Sequence, residues 1–436
     1  MPEARLSYRD IALFFFPLVL NVQLMSISHT IINSVLARLD NYVTALAGMS
    51  MAMIIHVFVS SPSYQNHTVT MAMARGRKSM LGVLVYIFTL STSVALLLAL
   101  VAYTRIGDLF FQLLGTPAEV VVEARKSLRI MLFLPFISGF RFFCQGLLLQ
   151  ARRTGLISFS TLIRVAGLFL FLALGRYWFS GAQLGAFGLV GCVATETLVI
   201  SLTVWQVHPR LQPRGQEKNF REIFSFGLPL AYSSCLQQAI PLLITAIIGR
   251  LTDGALVLAA FGVIRGFVFL LAGPMRNLQQ TYLALVREAR DSRRLLHFSL
   301  LLASFLSLLL LLVAGPLNNL ILGQFMGVET ALRQYLAAAM ALCAIFPFFY
   351  GGCHLLRGWF SDAEKTYLLG KSTIVKCCFM LLLWWPLVNF QLPVSGIVIA
   401  VFLLISAEGL EAGFLFLQRR HELRNAGPLA PLKTSS

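Results

Sequence analysis

Fifteen ionisable side chains in or beside the long apolar stretches of this 436-residue chain are candidates for chemistry. Eight are cations: Arg129, Arg141, Arg164, Arg265, Arg276, Arg357, Lys371 and Lys376. Four are histidines, His29, His56, His67 and His354, and only three are acids, Glu196, Glu408 and Glu411. A charge at the centre of a membrane helix costs about 2.5–3.5 kcal/mol on insertion scales, so each needs a compensating partner. An excess of positive charge in such a setting suits an anionic ligand, because a desolvated carboxylate or phosphate needs charged donors.

The cations divide by position. Arg141 and Arg265 lie well inside their stretches and are the leading candidates for ligand contact. Arg129, Arg276, Arg357 and Lys371 fall nearer the ends, where a long side chain can also snorkel to the interface. Arg164 with Glu196, and Lys376 with Glu408, are candidate structural or coupling ion pairs. His56, near mid-stretch, is either a proton-responsive group or a packed neutral imidazole. The candidate substrate-binding set is Arg141, Arg265, His56, Arg276, Asn277, Gln65, His354 and Arg357; no metal ligand and no cofactor site is expected.

Catalysis has no comparable support. The aspartates Asp10, Asp40, Asp108, Asp253, Asp291 and Asp362 are scattered, not clustered as a magnesium–diphosphate site requires. No Walker A sequence, nucleophile elbow or HExxH helix is present. The residues point to binding and translocation, not to an enzyme.

The elements that position these groups are helices. Hydrophobic residues make up 58% and charged residues 12%, against roughly 25% charged in soluble domains. About 20 mostly apolar residues cross a bilayer. Twelve such runs occur: 11–36, 43–72, 81–103, 128–149, 156–179, 182–207, 223–248, 255–286, 295–314, 332–355, 367–388 and 394–417. The expected fold is an all-α polytopic membrane protein. The first run follows a charged segment, lacks a small-residue cleavage site, and reads as a retained helix.

The net charge of +17 reports topology, not nucleic acid. Basic clusters follow even-numbered runs, at Arg75–Lys78, Arg152–Arg153, Arg210–Arg221, Arg287–Arg294 and Arg419–Arg424, with Arg125 and Lys126 as the exception. The positive-inside rule then places both termini in the cytoplasm. The seven cysteines lie within runs and lack zinc-like spacing, which suits packing.

One internal repeat organises the chain. Tyr8-Arg-Asp-Ile resembles Phe220-Arg-Glu-Ile at an offset of 212, and the same offset pairs Pro17 with Pro229, Pro62 with Pro274, and Pro135 with Pro347. It also pairs Thr154 with Thr366, Arg164 with Lys376, and Glu196 with Glu408. Arg141 and Arg265, by contrast, have Cys353 and Met53 as mates. Two six-helix halves of like orientation follow, related by a pseudo-twofold axis along the membrane normal, with substrate expected between them. We expect boundaries at 1–208 and 220–418, with a cytoplasmic linker at 209–219 and a short tail at 419–436.

A twelve-helix chain with a proline in the first helix of each half resembles the multidrug/oligosaccharidyl-lipid/polysaccharide (MOP) flippase superfamily, which includes the MATE exporters. Phe346-Pro347, Gly358-Trp359, Lys365-Thr366, Ser372 and Lys376 resemble the progressive ankylosis protein family more narrowly, as do Phe16-Pro17-Leu18, Asn33 and the Pro62 helix. That resemblance implies secondary export of small anions such as citrate, pyrophosphate or nucleotides. We further expect proton or sodium coupling, and a monomer that lies multi-pass in the lipid bilayer of a bacterial inner (plasma) membrane. The first run carries Ser26 and His29 where animal members look acidic. The rival reading is a MATE-type antiporter of cationic drugs or a flippase of lipid-linked sugars; a cation exporter calls for a cavity dominated by acids.

Overall fold

The computed structural model describes residues 6–113, 117–207, 216–251, 254–326, 330–390 and 393–425, and every regular element among them is helical. The expected linker and tail lie largely outside the described residues. In the first half run α1 (Tyr8–Leu36), α2 (Tyr42–Ser60), α3 (Asn66–Met73), α4 (Arg77–Tyr103), α5 (Ile106–Leu113), α6 (Ala118–Met131), α7 (Leu134–Gln150), α8 (Thr154–Gly175) and α9 (Ala182–Val207). In the second run α10 (Phe220–Ile248), α11 (Gly254–Ala272), α12 (Leu278–Leu285), α13 (Ala289–Ala314), α14 (Thr330–Leu342), α15 (Phe346–Asp362), α16 (Thr366–Asn389) and α17 (Gly396–Asn425).

Among the described residues, eleven helices, counting helices continued through a short break as one, are long and apolar enough to cross a membrane. The pair α6 and α7, bent by 46° at their junction, passes the same test when taken together and brings the number to twelve if it is one span. The chain is an all-α polytopic membrane protein.

The repeat is written into the backbone. α1 and α10 have the same length and differ by 212 at both ends, as do α3 and α12, and α7 and α15. The single turns of 3-10 helix that break the second span of each half, Ser61–Gln65 and Gly273–Asn277, are also 212 apart. Each carries its proline in its first turn. Pro62 has no N–H to give the carbonyl of Phe58, and Ser61 Oγ donates to that oxygen at 2.6 Å. Even the two non-glycine residues with left-handed backbone among the described residues, Arg152 (φ 59°) and Glu364 (φ 58°), match in register.

The described residues group into two compact units, one within Phe16–Cys235 and one within Met1–Phe15 plus Leu236–Ser436. We call them the N-terminal and C-terminal units. Each boundary falls inside a helix, α1 or α10. The start of α10 packs in the N-terminal unit, where a Cβ on Gly227 would lie 2.6 Å from the Tyr86 hydroxyl. At the matching positions of the C-terminal unit, Phe15 meets the Phe298 ring edge-on at 5.6 Å.

Small residues let the spans approach closely, as lipid-embedded helices require. Gly167 of α8 faces Thr195 of α9, and Gly191 of α9 faces the Phe171 ring of α8. A Cβ on Gly146 of α7 would stand 2.5 Å from Thr70 Cβ and 2.9 Å from the His67 carbonyl of α3; the repeat mate Gly358 meets Tyr282 Cβ at 2.6 Å. Gly146→Ala is therefore expected to cost about 1–3 kcal/mol by overpacking, whereas Gly155→Ala, where an added Cβ meets nothing within 4 Å, leaves stability unchanged or slightly improved. Thermal unfolding of the two purified variants checks this. A Gly146→Ala protein as stable as wild type shows that α3 and α7 do not pack this closely.

Two features lay outside the sequence reading. α5 is a short helix after the third span, and its Asp108 pairs with Arg125 of α6 at 2.8 Å. Lys126 pairs with Glu123 at 2.9 Å. The two cations that broke the charge pattern thus have acidic partners beside them.

Candidate functional site

Among the described residues, each unit holds a buried cluster of charged side chains on the last three spans of its half. In the N-terminal unit, Glu196 of α9 has no solvent exposure. Its carboxylate accepts from Arg141 Nη1 of α7 at 3.1 and 3.2 Å, from Arg164 Nη1 of α8 at 3.1 Å, and from Thr161 Oγ1 of α8 at 2.9 Å. Arg141 and Arg164 are 3% and 2% exposed. Arg141 also sits over the Phe142 ring at 4.5 Å, a favourable face for a guanidinium. Thr161 Oγ1 lies 2.6 Å from Asn21 Oδ1, which ties α1 to the cluster.

The expected Arg164–Glu196 pair is present, but Glu196 does not serve Arg164 alone. Arg141, read as a cation without a charged mate, takes the same carboxylate. Desolvating two guanidinium groups and one carboxylate is costly, and a carboxylate filled by three donors compensates it only in part, because one positive charge is left over.

In the C-terminal unit, Lys376 Nζ of α16 lies 2.5 Å from Glu408 and 3.0 Å from Glu411, both on α17. Arg357 of α15 donates to Glu411 at 2.5 Å, and Ser372 Oγ lies 3.4 Å from the same oxygen. Two cations meet two carboxylates, and the cluster is balanced. Arg357 is fully buried, so the interfacial reading of this residue does not hold; its helix runs on to Asp362 and carries it inward. Cys353 Sγ and carboxylate oxygens of Glu408 and Glu411 lie within 4.8 Å of one another, a spacing that suits a metal ion. The Lys376 ammonium already supplies the positive charge there.

The remaining candidates are more dispersed. Arg265 of α11 is half-buried, has the Phe269 ring at 6.0 Å, and forms no ion pair among the described residues. The helix face beside it is open: a Cβ on Gly262 or Gly266 meets nothing within 4 Å. His56 is buried, with Nδ1 3.3 Å from Ser60 Oγ of its own helix. His354 is buried against the Tyr350 ring at 4.6 Å, and its Nδ1 makes no hydrogen bond among the described residues.

Gln65 Oε1 accepts from Thr68 at 2.8 Å. Arg276, in the broken turn after α11, is exposed, while the adjacent Asn277 is buried with an Nδ2 that has no partner among the described residues. Asn66, one residue beyond the matching turn, is buried, and neither of its amide atoms has a partner among the described residues. The outlying cations Arg129 and Lys371 are exposed and lie over Tyr103 at 4.9 Å and Tyr367 at 5.3 Å. That is the interfacial placement expected of snorkelling side chains.

No family model matches the sequence, and no curated protein matches it. Solved structures do match, along almost the whole chain. A mutant of the Vibrio cholerae MATE transporter VcmN superposes with a TM-score of 0.77 at 16% identity, over 96% of this chain and 97% of that one. The fold is that of the MATE transporters. A eukaryotic MATE transporter, AtDTX14, is similar at TM-score 0.71 and 16% identity, covering 96% of this chain and 97% of its own. A MOP superfamily transporter from Pyrococcus furiosus, described by the reversed polarity of its binding pocket, reaches 0.67 at 14% identity, over 98% of this chain and 97% of that one.

On this MATE fold, the sequence signals that mattered were the prolines and charges shared across the repeat. Glu411 reads as an intramembrane acid in the sequence, but its repeat mate is Val199, so the repeat gives no reason to place it in the site. Ser160-Thr161 repeats as Ser372-Thr373 at the offset of 212, and nothing in that match connects Thr161 to Glu196.

Proposed function

We propose that this chain is a secondary active transporter that carries small organic or phosphorylated anions, of the citrate, pyrophosphate or nucleotide kind. The observation that carries the reading is the sign of the buried charge. In the N-terminal cluster two guanidinium groups share one carboxylate. In the C-terminal unit Arg265 is a further half-buried cation with no acidic partner among the described residues. The carboxylates that a cationic substrate would need are already filled: Glu196 by two arginines, and Glu408 and Glu411 by Lys376 and Arg357.

The fold supports transport as the mode of action. Alternating access in such proteins is driven by an ion gradient, here of protons or sodium. One solved relative is described as a multidrug resistance MATE family transporter, which favours the second reading, a multidrug antiporter. The Pyrococcus furiosus protein, with its pocket of reversed polarity, supports the idea that this fold also hosts sites of the opposite sign.

Proteoliposomes loaded with radiolabelled citrate, pyrophosphate or ATP should release at least one of them faster than protein-free vesicles when a pH or sodium gradient is imposed. Arg265→Gln should weaken the apparent affinity by about 1.5–3 kcal/mol, the worth of a charge-assisted contact, at unchanged protein level. Vesicles that release organic cations and none of the anions would show that the multidrug reading is the right one.

A further inference from the structure

The two units share one framework but not one charge count. At the offset of 212, Arg164 corresponds to Lys376, Glu196 to Glu408, Gln145 to Arg357, and Val199 to Glu411. In the C-terminal unit this framework closes on itself, with Arg357 and Lys376 holding Glu408 and Glu411. In the N-terminal unit the second cation comes from Arg141, one turn earlier on α7, and the second carboxylate is missing, because its position holds the hydrocarbon of Val199.

The Glu196 cluster, together with the residue matched to Arg357, holds donors without an acceptor. Arg141 Nε, Arg164 Nε and Gln145 Nε2 are buried and make no hydrogen bond among the described residues. Their side chains are 3%, 2% and 6% exposed. Gln145 stands where Arg357 stands in the other unit, and Arg357 Nη1 is the group that grips Glu411 there. α7 meets α9 at Arg141–Glu196, 3.1 Å, and at Cys144 Sγ–Ser201 Oγ, 3.7 Å, and Val199, only half-buried, lies between Glu196 and Ser201 along α9. A buried donor left unpaired costs about 1–3 kcal/mol, and a water molecule could satisfy the N–H groups but not the extra positive charge. An oxyanion satisfies both.

We propose that the oxyanion of a small ligand, a carboxylate or a phosphate, binds inside the N-terminal unit against Arg141, Gln145 and Arg164, in the place that Glu411 fills in the C-terminal unit. This deepens the anion-transport reading and rests on it for the identity of the ligand as substrate. The repeat itself serves as the control. One half carries its anion covalently and the other takes it from solution, so one half of the molecule is ligand-dependent and the other is not.

The test transplants the missing carboxylate. Thermal unfolding of the purified full chain in detergent is followed while citrate, phosphate or pyrophosphate is titrated at constant ionic strength, with chloride as the control and phosphatidylglycerol as a separate arm. The wild-type midpoint should rise with at least one free oxyanion, as mass action requires of a ligand that binds the native state. Val199→Glu should raise the midpoint in the absence of any added anion and shift the titration at least tenfold to higher concentration. Val199→Gln, of similar size and no charge, should keep the wild-type response.

Equal anion responses in wild type and Val199→Glu would overturn the proposal. So would the absence of any response in wild type, or failure of Val199→Glu to fold while Val199→Gln folds. A rise with phosphatidylglycerol and with none of the free anions assigns the oxyanion to a lipid headgroup and detaches the site from transport. Proteoliposome flux separates the two readings. Anions that stabilise through this site but are not transported leave the site standing and refute anion transport, whereas wild-type flux through Val199→Glu leaves anion transport standing and refutes the site.

Discussion

Glu196→Gln should destabilise the protein by about 3–5 kcal/mol, the range for removing one partner of a buried ion pair. The carboxylate is fully buried and is the acceptor for Arg141, Arg164 and Thr161 together. An amide keeps the shape but supplies no negative charge, so two guanidinium groups that cannot lose their protons face each other in a low-dielectric interior. The expected readout is a lowered unfolding midpoint and a reduced yield of folded protein from the membrane. Removing one of the stranded charges should recover part of the loss: Arg141→Gln in the Glu196→Gln background should be more stable than Glu196→Gln alone. A Glu196→Gln protein with the wild-type midpoint would show that solvent or another acid neutralises these arginines.

Lys376→Met should have an effect of similar size in the C-terminal unit, about 3–5 kcal/mol, but with the sign of the stranded charge reversed. The ammonium bridges Glu408 at 2.5 Å and Glu411 at 3.0 Å, and without it two carboxylates depend on Arg357 alone. Glu408→Gln is the matching rescue, because Lys376→Met with Glu408→Gln leaves one cation and one acid, Arg357 and Glu411. The double variant should unfold at a higher temperature than Lys376→Met. If the single variant is as stable as wild type in thermal unfolding, the four-residue cluster is not a closed electrostatic unit. The contrast between the two clusters is the useful feature of the pair of experiments: one half is sensitive to losing its acid, the other to losing its cation.

Much of the architecture was legible without coordinates because a membrane imposes a simple code. Each span must be about 20 apolar residues long and must hydrogen-bond its own backbone. The run at 81–103, for example, became α4 with the same end residue, Tyr103. The repeat was legible for a different reason. Prolines and buried charges are rare in spans and costly to misplace, so Pro62 with Pro274 and Glu196 with Glu408 kept a common register of 212. The structure reproduces that register at helix ends, at the broken turns and at the left-handed residues Arg152 and Glu364. α5 was missed because eight residues between two long runs carry too short a pattern to separate from a loop.

The candidate site was legible in its residue types and not in its pairing. The chain itself determined that three acids must serve a larger number of cations, that Arg164 and Lys376 would face Glu196 and Glu408, and that the halves would use matching helices to do it. Only the tertiary structure decided that Arg141 shares Glu196, that Arg357 is buried and belongs to Glu411, and that Arg265 stays half-buried on an open face. Such contacts join residues 55 and 54 positions apart on different helices. Which of them meet depends on the rotation and crossing of α7 against α9 and of α15 against α17, and one helical turn, four residues, separates Arg141 from Gln145, the mate of Arg357. Composition and spacing specify how many charges lie in the membrane; the phase of one packed helix against the next specifies which are neutralised and which are left for a ligand.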